Sequence, residues 1–368
     1  MLRKGFALPK KAFALPRKGF ALPRKAFALP RKAFALSRKG LTLPRKGFAL
    51  LRKGFALLRK GFAIPRNCIH ISRRGFTFMI KYNISLKELL PARQENSYKG
   101  TYGHALILCG SRNMPGACCI AANGALRSGV GLVTAAFPEG AYNAIAPKLT
   151  EALLLPLPQN SEGTFSFSAI HDLRFREKYT AILMGCGMGV NEDTRKLVNA
   201  ITGDNFLKLV IDADALNCLA KNPDILKKTK AKIIVTPHIG EMSRLSKKTA
   251  QEILKDPVKA ATEFAKEYDV TVVLKGSTTV VCSPDSEDVF VNTFDNSGLA
   301  KGGSGDLLAG IIVSLLSQGA SPFAAAAAGV KIHSDCAKIT AEEESERGML
   351  ASDIIERMPA YLRNYEID

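Results

Sequence analysis

From residue 104 onward, short aliphatic and β-branched runs alternate with stretches of helical spacing, and few patterns restrict a fold more. HALILCG (104–110), GLVTAAF (131–137), TAILMGCG (180–187), FLKLVIDAD (206–214), AKIIVTPH (231–238) and VTVVLKG (270–276) read as strands, and TTVVCS with DVFVNTF reads as a hairpin. Between them GACCIAANGALRSG, EDTRKLVNAIT, ILKKTK and DPVKAATEFAKEYD read as helices. LLAGIIVSLLSQG and SPFAAAAAGVKIHSDCAKIT do the same after Asp306. Near-continuous apolar strands separated by helices imply an α/β fold whose mainly parallel sheet is covered on both faces. Ligands of such folds bind beyond the carboxyl ends of the strands. Here those ends are CGS, GCGMG, DADALN, TPHIGE and LKGSTT, each carrying Gly, Asp, His or Lys.

The formal charge of +19 points to nucleic acid or anionic membrane until its location is considered. From Arg3 to Met79 the chain repeats every seven residues, from RKGFALP through to the degenerate RNCIHIS and RRGFTFM. These eleven units hold 21 of the 52 basic residues and none of the 33 acidic ones, so residues 80–368 carry 31 against 33, a net of −2. The period of seven is not a coiled-coil seam, because its apolar positions are contiguous and the recurring Pro and Gly oppose a long helix. The segment reads as a translated tandem repeat with Met79 as the start, or as a dispensable disordered extension. Binding of nucleic acid or anionic lipid through the Arg-Lys pairs, and targeting, are the competing readings. Residues 80–368 are expected to form one domain, with no specific nucleic-acid partner and no membrane contact.

Eight cysteines show no Cys-x-x-Cys pair, and several sit in apolar runs such as ALILCG. That usage fits small buried side chains in a reducing cytoplasm, not a disulfide framework or zinc site. No apolar run approaches the roughly 20 residues of a membrane span.

The chemistry concentrates in SGLAKGGSGDLLAGII, Ser297 to Ile312. Glycines 302, 303 and 305 free the backbone to turn N–H groups inward, and Leu307 onward reads as a helix. Loop amides plus a helix N-terminus make an anion site. Asp306 would stand beside a phosphate held there, able to accept the proton of an attacking hydroxyl while the amides stabilise the transferred group. Lys275 with Ser277, Thr278 and Thr279 follows one strand. Thr236, His238 and Glu241 follow another. Asp212 and Asp214 in DADALN either contact ligand or ion or cap the following helix.

The ordered set KGTYGHALILCGSRNMPGA, GCGMG, TPHIGE, LKGSTTVV and NSGLAKGGSGDLLAGII resembles the ATP- or ADP-dependent (S)-NAD(P)H-hydrate dehydratases of the ribokinase-like superfamily, over roughly residues 85–368. The resemblance implies a ribokinase-like three-layer sandwich that repairs hydrated NADH and NADPH. The C6 hydroxyl is phosphorylated and phosphate is then eliminated. Carried onto this sequence, Asp306 is the base and a hydrate contact, with Ala117, Gly187 and His238 facing the hydrate. Lys275, Gly276, Ser277, Thr278 and Thr279, with Gly303 and Gly305, line the nucleotide. Glu241 would hold Mg²⁺ through water, with ADP or ATP as cosubstrate. A homo-oligomer, possible as a tetramer, and a cytoplasmic location are implied as well. Leu299 and Lys301 stand where many relatives carry Met and Thr, and Lys301 is expected to add positive charge near the phosphates. Many relatives carry an epimerase domain in front; only the repeat lies upstream here, so no epimerase activity is expected. The rivals are a ribokinase-like small-metabolite kinase and a nucleic-acid or membrane-surface protein acting through residues 3–79.

Overall fold

A computed structural model of the chain describes residues 36–37, 40–41, 69–73, 76–173, 178–205 and 207–366. It divides into Met1–Ala63 and Ile64–Asp368. In the first unit Leu36–Ser37 pairs antiparallel with Gly40–Leu41. Most of the repeat, and Cys68, lie outside the described residues, so the reading of the repeat as disordered is not addressed there.

Among the described residues, the second unit is built on eleven strands. They are β1 (Ile69–Arg73), β2 (Phe76–Lys81), β3 (His104–Leu108), β4 (Leu132–Pro138), β5 (Leu153–Leu157), β6 (Ala181–Met184), β7 (Lys208–Ile211), β8 (Lys232–Val235), β9 (Thr271–Leu274), β10 (Thr278–Cys282) and β11 (Asp288–Thr293). They form one sheet in the order β1-β2-β11-β10-β9-β8-β7-β6-β3-β4-β5. The run from β9 to β5 is parallel throughout. The chain winds outward from β3 to β5, returns to β6 and winds the other way, so the strand order reverses between β3 and β6. That reversal opens the ligand crevice of such sheets.

The principal helices are α1 (Pro115–Arg127), α2 (Glu192–Thr202), α3 (Ala213–Leu219), α4 (Ile239–Ser246), α5 (Pro257–Tyr268), α6 (Ser304–Ser317), α7 (Pro322–Glu343) and α8 (Ala351–Leu362). Successive strand side chains point to opposite faces, and the cores divide accordingly. Ala105, Ile107, Val133, Ala135, Leu183 and Val210 pack with α1, α6, α7 and α8. Leu106, Leu108, Ile182, Met184, Leu209 and Ile211 pack with α2 to α5. The result is the three-layer sandwich expected from the strand pattern. Helix α6 is buried from Leu307 to Ser317, as its apolar character on every side requires. No described helix is long and apolar enough to cross a membrane. The seven described cysteines are buried free thiols.

Every expected strand lies in its run, but four details differ. ILKKTK is not an α-helix: Pro223–Lys227 forms a single 3₁₀ segment that buries only Pro223 and Leu226, because the lysines leave no apolar face to dock. Helix α6 begins at Ser304, not Leu307, with Gly303 at φ +92° as its N-cap. Strand β5 was not anticipated; its Pro156 is tolerated because β5 is the edge strand. The boundary expected at residue 80 falls inside β2, which pairs antiparallel with β1 and parallel with β11. The last repeat units have lost the recurring proline and alternate as IHIS and FTFM do, so they can join a ladder. Lys81 Nζ lies 2.6 Å from Asp288 Oδ2 across that junction.

Candidate active site

The carboxyl ends of β3, β6, β7, β8 and β9 converge on the first turn of α6. At the β3/β6 crevice the Gly110 N–H donates to the Cys186 carbonyl at 2.7 Å, joining CGS to GCGMG. Gly187 follows at φ +63°, and a Cβ placed on it would come within 2.9 Å of Ala117 Cβ and 3.0 Å of Met114 Cβ. The two small residues expected to face the hydrate are therefore neighbours, one from the β6 loop and one from α1.

Beside them lies a buried acidic cluster. Cys186 Sγ and one carboxylate oxygen each of Asp212 and Asp306 lie within 4.8 Å of one another. Asp306 stands in the first turn of α6, whose opening amides have no carbonyl partner within the helix. Burial pushes its carboxyl up to about 6, reinforced by Asp212 and Asp214 and opposed by Cys186 and Lys275. Hydrogen bonding with Cys109, then burial, hold the Cys186 thiol well above its ordinary value.

Lys275 reaches the same cluster from the end of β9. Its ammonium donates to Asp212 Oδ1 at 2.6 Å. A Cβ on Gly305 would sit 3.4 Å from Lys275 Nζ. Burial draws the lysine down, but Asp212 and Glu241 outweigh it, leaving Lys275 charged and above its ordinary value. Asp212, left open between ligand contact and helix cap, makes no capping bond to α3. Asp214 instead accepts from the Gly189 N–H at 2.9 Å.

His238 and Glu241 form the N-terminal box of α4. His238 Nδ1 accepts from the Gly240 N–H at 2.9 Å and the Glu241 N–H at 3.3 Å. Glu241 Oε2 accepts from the His238 N–H at 2.9 Å. Glu241 is buried, which raises its carboxyl; Lys275 lowers it and Asp212 adds to the rise.

An adjoining cavity of about 800 Å³ is lined by His238, Lys275, Gly276, Ser277, Thr279 and Gly305 among the expected residues. Thr278 points away, as alternation along β10 dictates. Gly303 faces α1, where a Cβ would meet Ile120 Cδ1 at 2.7 Å. Ala117, Gly187, Glu241 and Asp306 are not part of this lining. Lys301 lines the cavity, but its ammonium donates to the carbonyls of Arg347 at 2.5 Å and Met349 at 2.8 Å. It therefore tethers the segment before α8.

Sequence reasoning passed over His333, Asn292 and Ser304, which also line the cavity. His333 sits in an alanine-rich helix with no motif around it, and its partner Ser304, 3.3 Å away, lies 29 residues upstream. Only the fold brings them together.

The donor set fits a hard cation. Asp212, Asp306 and Glu241 gather three carboxylates around the single ammonium of Lys275. Oxygen donors in charge excess suit Mg²⁺, which keeps several waters and takes few protein ligands. The Cys186 thiol does not suit it.

The sequence profile of the NAD(P)H-hydrate dehydratase family matches residues 105–360. Over 278 residues the chain is 38% identical to a bifunctional NAD(P)H-hydrate repair enzyme of Moorella thermoacetica, covering 75% of this chain and 52% of that protein. The chain thus spans about half the length of its bifunctional relatives. It is 34% identical over 282 residues to an ADP-dependent (S)-NAD(P)H-hydrate dehydratase of Bacillus subtilis, covering 76% of this chain and 96% of that one. The crystal structure of the ADP/ATP-dependent NAD(P)H-hydrate dehydratase from B. subtilis, co-crystallized with ATP/Mg²⁺, matches with a TM-score of 0.67 and 32% identity, over 76% of this chain and 96% of that chain.

Proposed function

The chain belongs to the NAD(P)H-hydrate dehydratase family, and from that premise we propose that it restores (S)-hydrated NADH and NADPH by nucleotide-dependent dehydration. The observation that carries the reading is the position of Asp306. Its carboxylate lies within 4.8 Å of the Sγ of Cys186, the neighbour of Gly187, and of Asp212, and it directly follows Gly305, where an added Cβ would sit 3.4 Å from Lys275 Nζ.

In this reading the hydrate lies in the crevice and the nucleotide in the cavity. The Asp306 carboxylate takes the proton of the C6 hydroxyl as that oxygen attacks the terminal phosphorus. The phosphorus–oxygen bond to the nucleotide breaks, releasing ADP from ATP or AMP from ADP. Lys275 and the α6 amides balance charge spreading over the transferred group. Phosphate then leaves C6 with the electrons of the C–O bond, and loss of a ring proton restores the double bond. Gly276, Ser277 and Thr279 line the nucleotide, and the exposed ring of His238 borders both ligands. Thr278 and Gly303 support the backbone of the same two loops. Mg²⁺, when bound, would neutralise phosphate charge, with Glu241 holding it through water. A cytoplasmic location and a homo-oligomer belong to the same reading.

The test mixes enzymatically hydrated NADH with Mg²⁺ and ATP or ADP and follows the near-ultraviolet absorbance of NADH. We expect nucleotide-dependent recovery that is lost in Asp306→Ala. No recovery with either nucleotide from folded protein overturns the reading. A stable phosphorylated product from another metabolite would favour the kinase.

A further inference from the structure

The feature left unexplained is a buried carboxylate placed where an anion must bind. Asp212 is 1% exposed and directly follows β7. It occupies the N-cap position of α3, yet its side chain makes no capping bond. Instead its Oδ1 accepts from Lys275 Nζ at 2.6 Å and from Thr236 Oγ1 at 2.7 Å.

The local backbone is strained into this arrangement. Ala213, directly after Asp212, has φ +48°, in the left-handed region that residues with a side chain rarely adopt. On the other side β6 ends against Asp212: the Asp212 N–H donates to the Met184 carbonyl at 3.1 Å, and a Cβ on Gly185 would overlap the Asp212 carbonyl oxygen. A strained alanine, an obligatory glycine and a forgone helix cap all serve one outcome, the aim of the Asp212 carboxylate.

A buried ion pair is a poor way to gain stability, because desolvation offsets much of the attraction. It is a good way to hold a flexible lysine still. Among the described residues Asp212 is the acceptor for the Lys275 ammonium, which leaves further donors for a phosphate. Asp212 Oδ2 would lie 3.8 Å, and Lys275 Nζ 3.4 Å, from a Cβ on Gly305. The pair therefore stands at the first turn of α6.

We propose that Asp212 is a positioning residue of the phosphate site, acting through Lys275, which it fixes with Thr236 against Gly305. The proposal deepens the function above and rests on it for the location of the phosphates.

The test measures MgADP and MgATP affinity by calorimetry in the full chain and in Asp212→Asn, Thr236→Val, Lys275→Met and the Asp212→Asn/Lys275→Met double variant. Positioning predicts that Asp212→Asn weakens nucleotide binding by about tenfold or more. Thr236→Val should do so less, and Asp212→Asn should add almost nothing in the Lys275→Met background. Binding that is unchanged or tighter in Asp212→Asn overturns the proposal, tighter binding meaning that Asp212 only repels the phosphates. A loss of equal size in both backgrounds overturns it too, since Asp212 then acts independently of Lys275, as a Mg²⁺ ligand or a general structural effect would. If Asp212→Asn does not fold, Thr236→Val compared with and without Lys275→Met decides the matter in the same way. Nucleotide binding without NADH recovery would sink the proposed function and leave this inference standing. No nucleotide binding by the unmodified chain would sink both.

Discussion

Ser304, the first residue of α6, carries its hydroxyl 3.3 Å from Nε2 of His333 on α7, at the wall of the cavity beside Lys275. Burial, then Lys275, hold His333 down at about 4, so its ring is neutral at working pH. In the unfolded chain it titrates near 6.5. Acidification through that value protonates the unfolded chain first and removes stability until about pH 4. Asp306 acts with the opposite sign. Its folded carboxyl titrates at about 6 and an unfolded one near 3.9, so acidification over that window protonates the folded state first and adds stability. The two contributions offset each other. Asp306→Asn removes only the second, so its denaturation midpoint should fall more steeply than the parent's between pH 7 and 5. Parallel profiles from urea titrations at several pH values would contradict this.

As a base, Asp306 must be ionised. We expect kcat/KM for NADH recovery to decline tenfold per pH unit below about 6. Asp306→Ala should lower the rate by about 10³ or more while nucleotide affinity, read by calorimetry, is kept.

Gly187 combines φ +63° with the close approach of Ala117 and Met114. Gly187→Ala should therefore cost about 1–3 kcal/mol through backbone strain alone and raise KM for the hydrate more than for the nucleotide. Denaturant unfolding and steady-state kinetics measure the two effects. Unchanged stability would mean that the loop relaxes freely.

Lys301 is spent on the carbonyls of Arg347 and Met349. Lys301→Met should leave nucleotide affinity within about threefold and make the chain near Arg347 easier for trypsin to cut. A loss of tenfold or more in affinity would show that its charge acts on the phosphates instead.

Strand β2 runs through Met79. A chain truncated to begin at Met79 should therefore melt a few degrees lower than one beginning at Ile64, because it uncovers the β11 edge. Thermal melting with light scattering would also reveal any aggregation at that edge. Equal melting points would mean that β1 and β2 contribute nothing to stability.

Much of this was legible in sequence because strand and helix periods differ. Alternate residues of HALIL and KLVI go to opposite faces, and the glycine-bearing strand ends mark the crevice. GGSGD with Lys275 marks the candidate site in the sequence because loop composition is a local property. The partners that complete it are not local. His333 meets Ser304, Thr236 meets Asp212, and Cys186 meets Asp306 only after the sheet has formed, and no spacing along the chain encodes those distances. The true start of α6 was missed because glycine weighs against helix in an intrinsic scale, whereas its burial against α1 and α7 decides otherwise. The seven-residue period runs through Met79, although its two degenerate last units, RNCIHIS and RRGFTFM, already carry strand composition.

The drift of those units has a consequence for how such a chain can change over time. A parallel sheet closed on both faces by helices has almost no place where new residues can be added without breaking a packed layer. The β11 edge is such a place. Extra chain arriving there needs only alternating side chains and no proline to be taken up, one strand at a time, far along the sheet from the β3/β6 crevice. Chain upstream of the domain can thus be taken into the sheet, whose β11 edge serves as a docking rail for it.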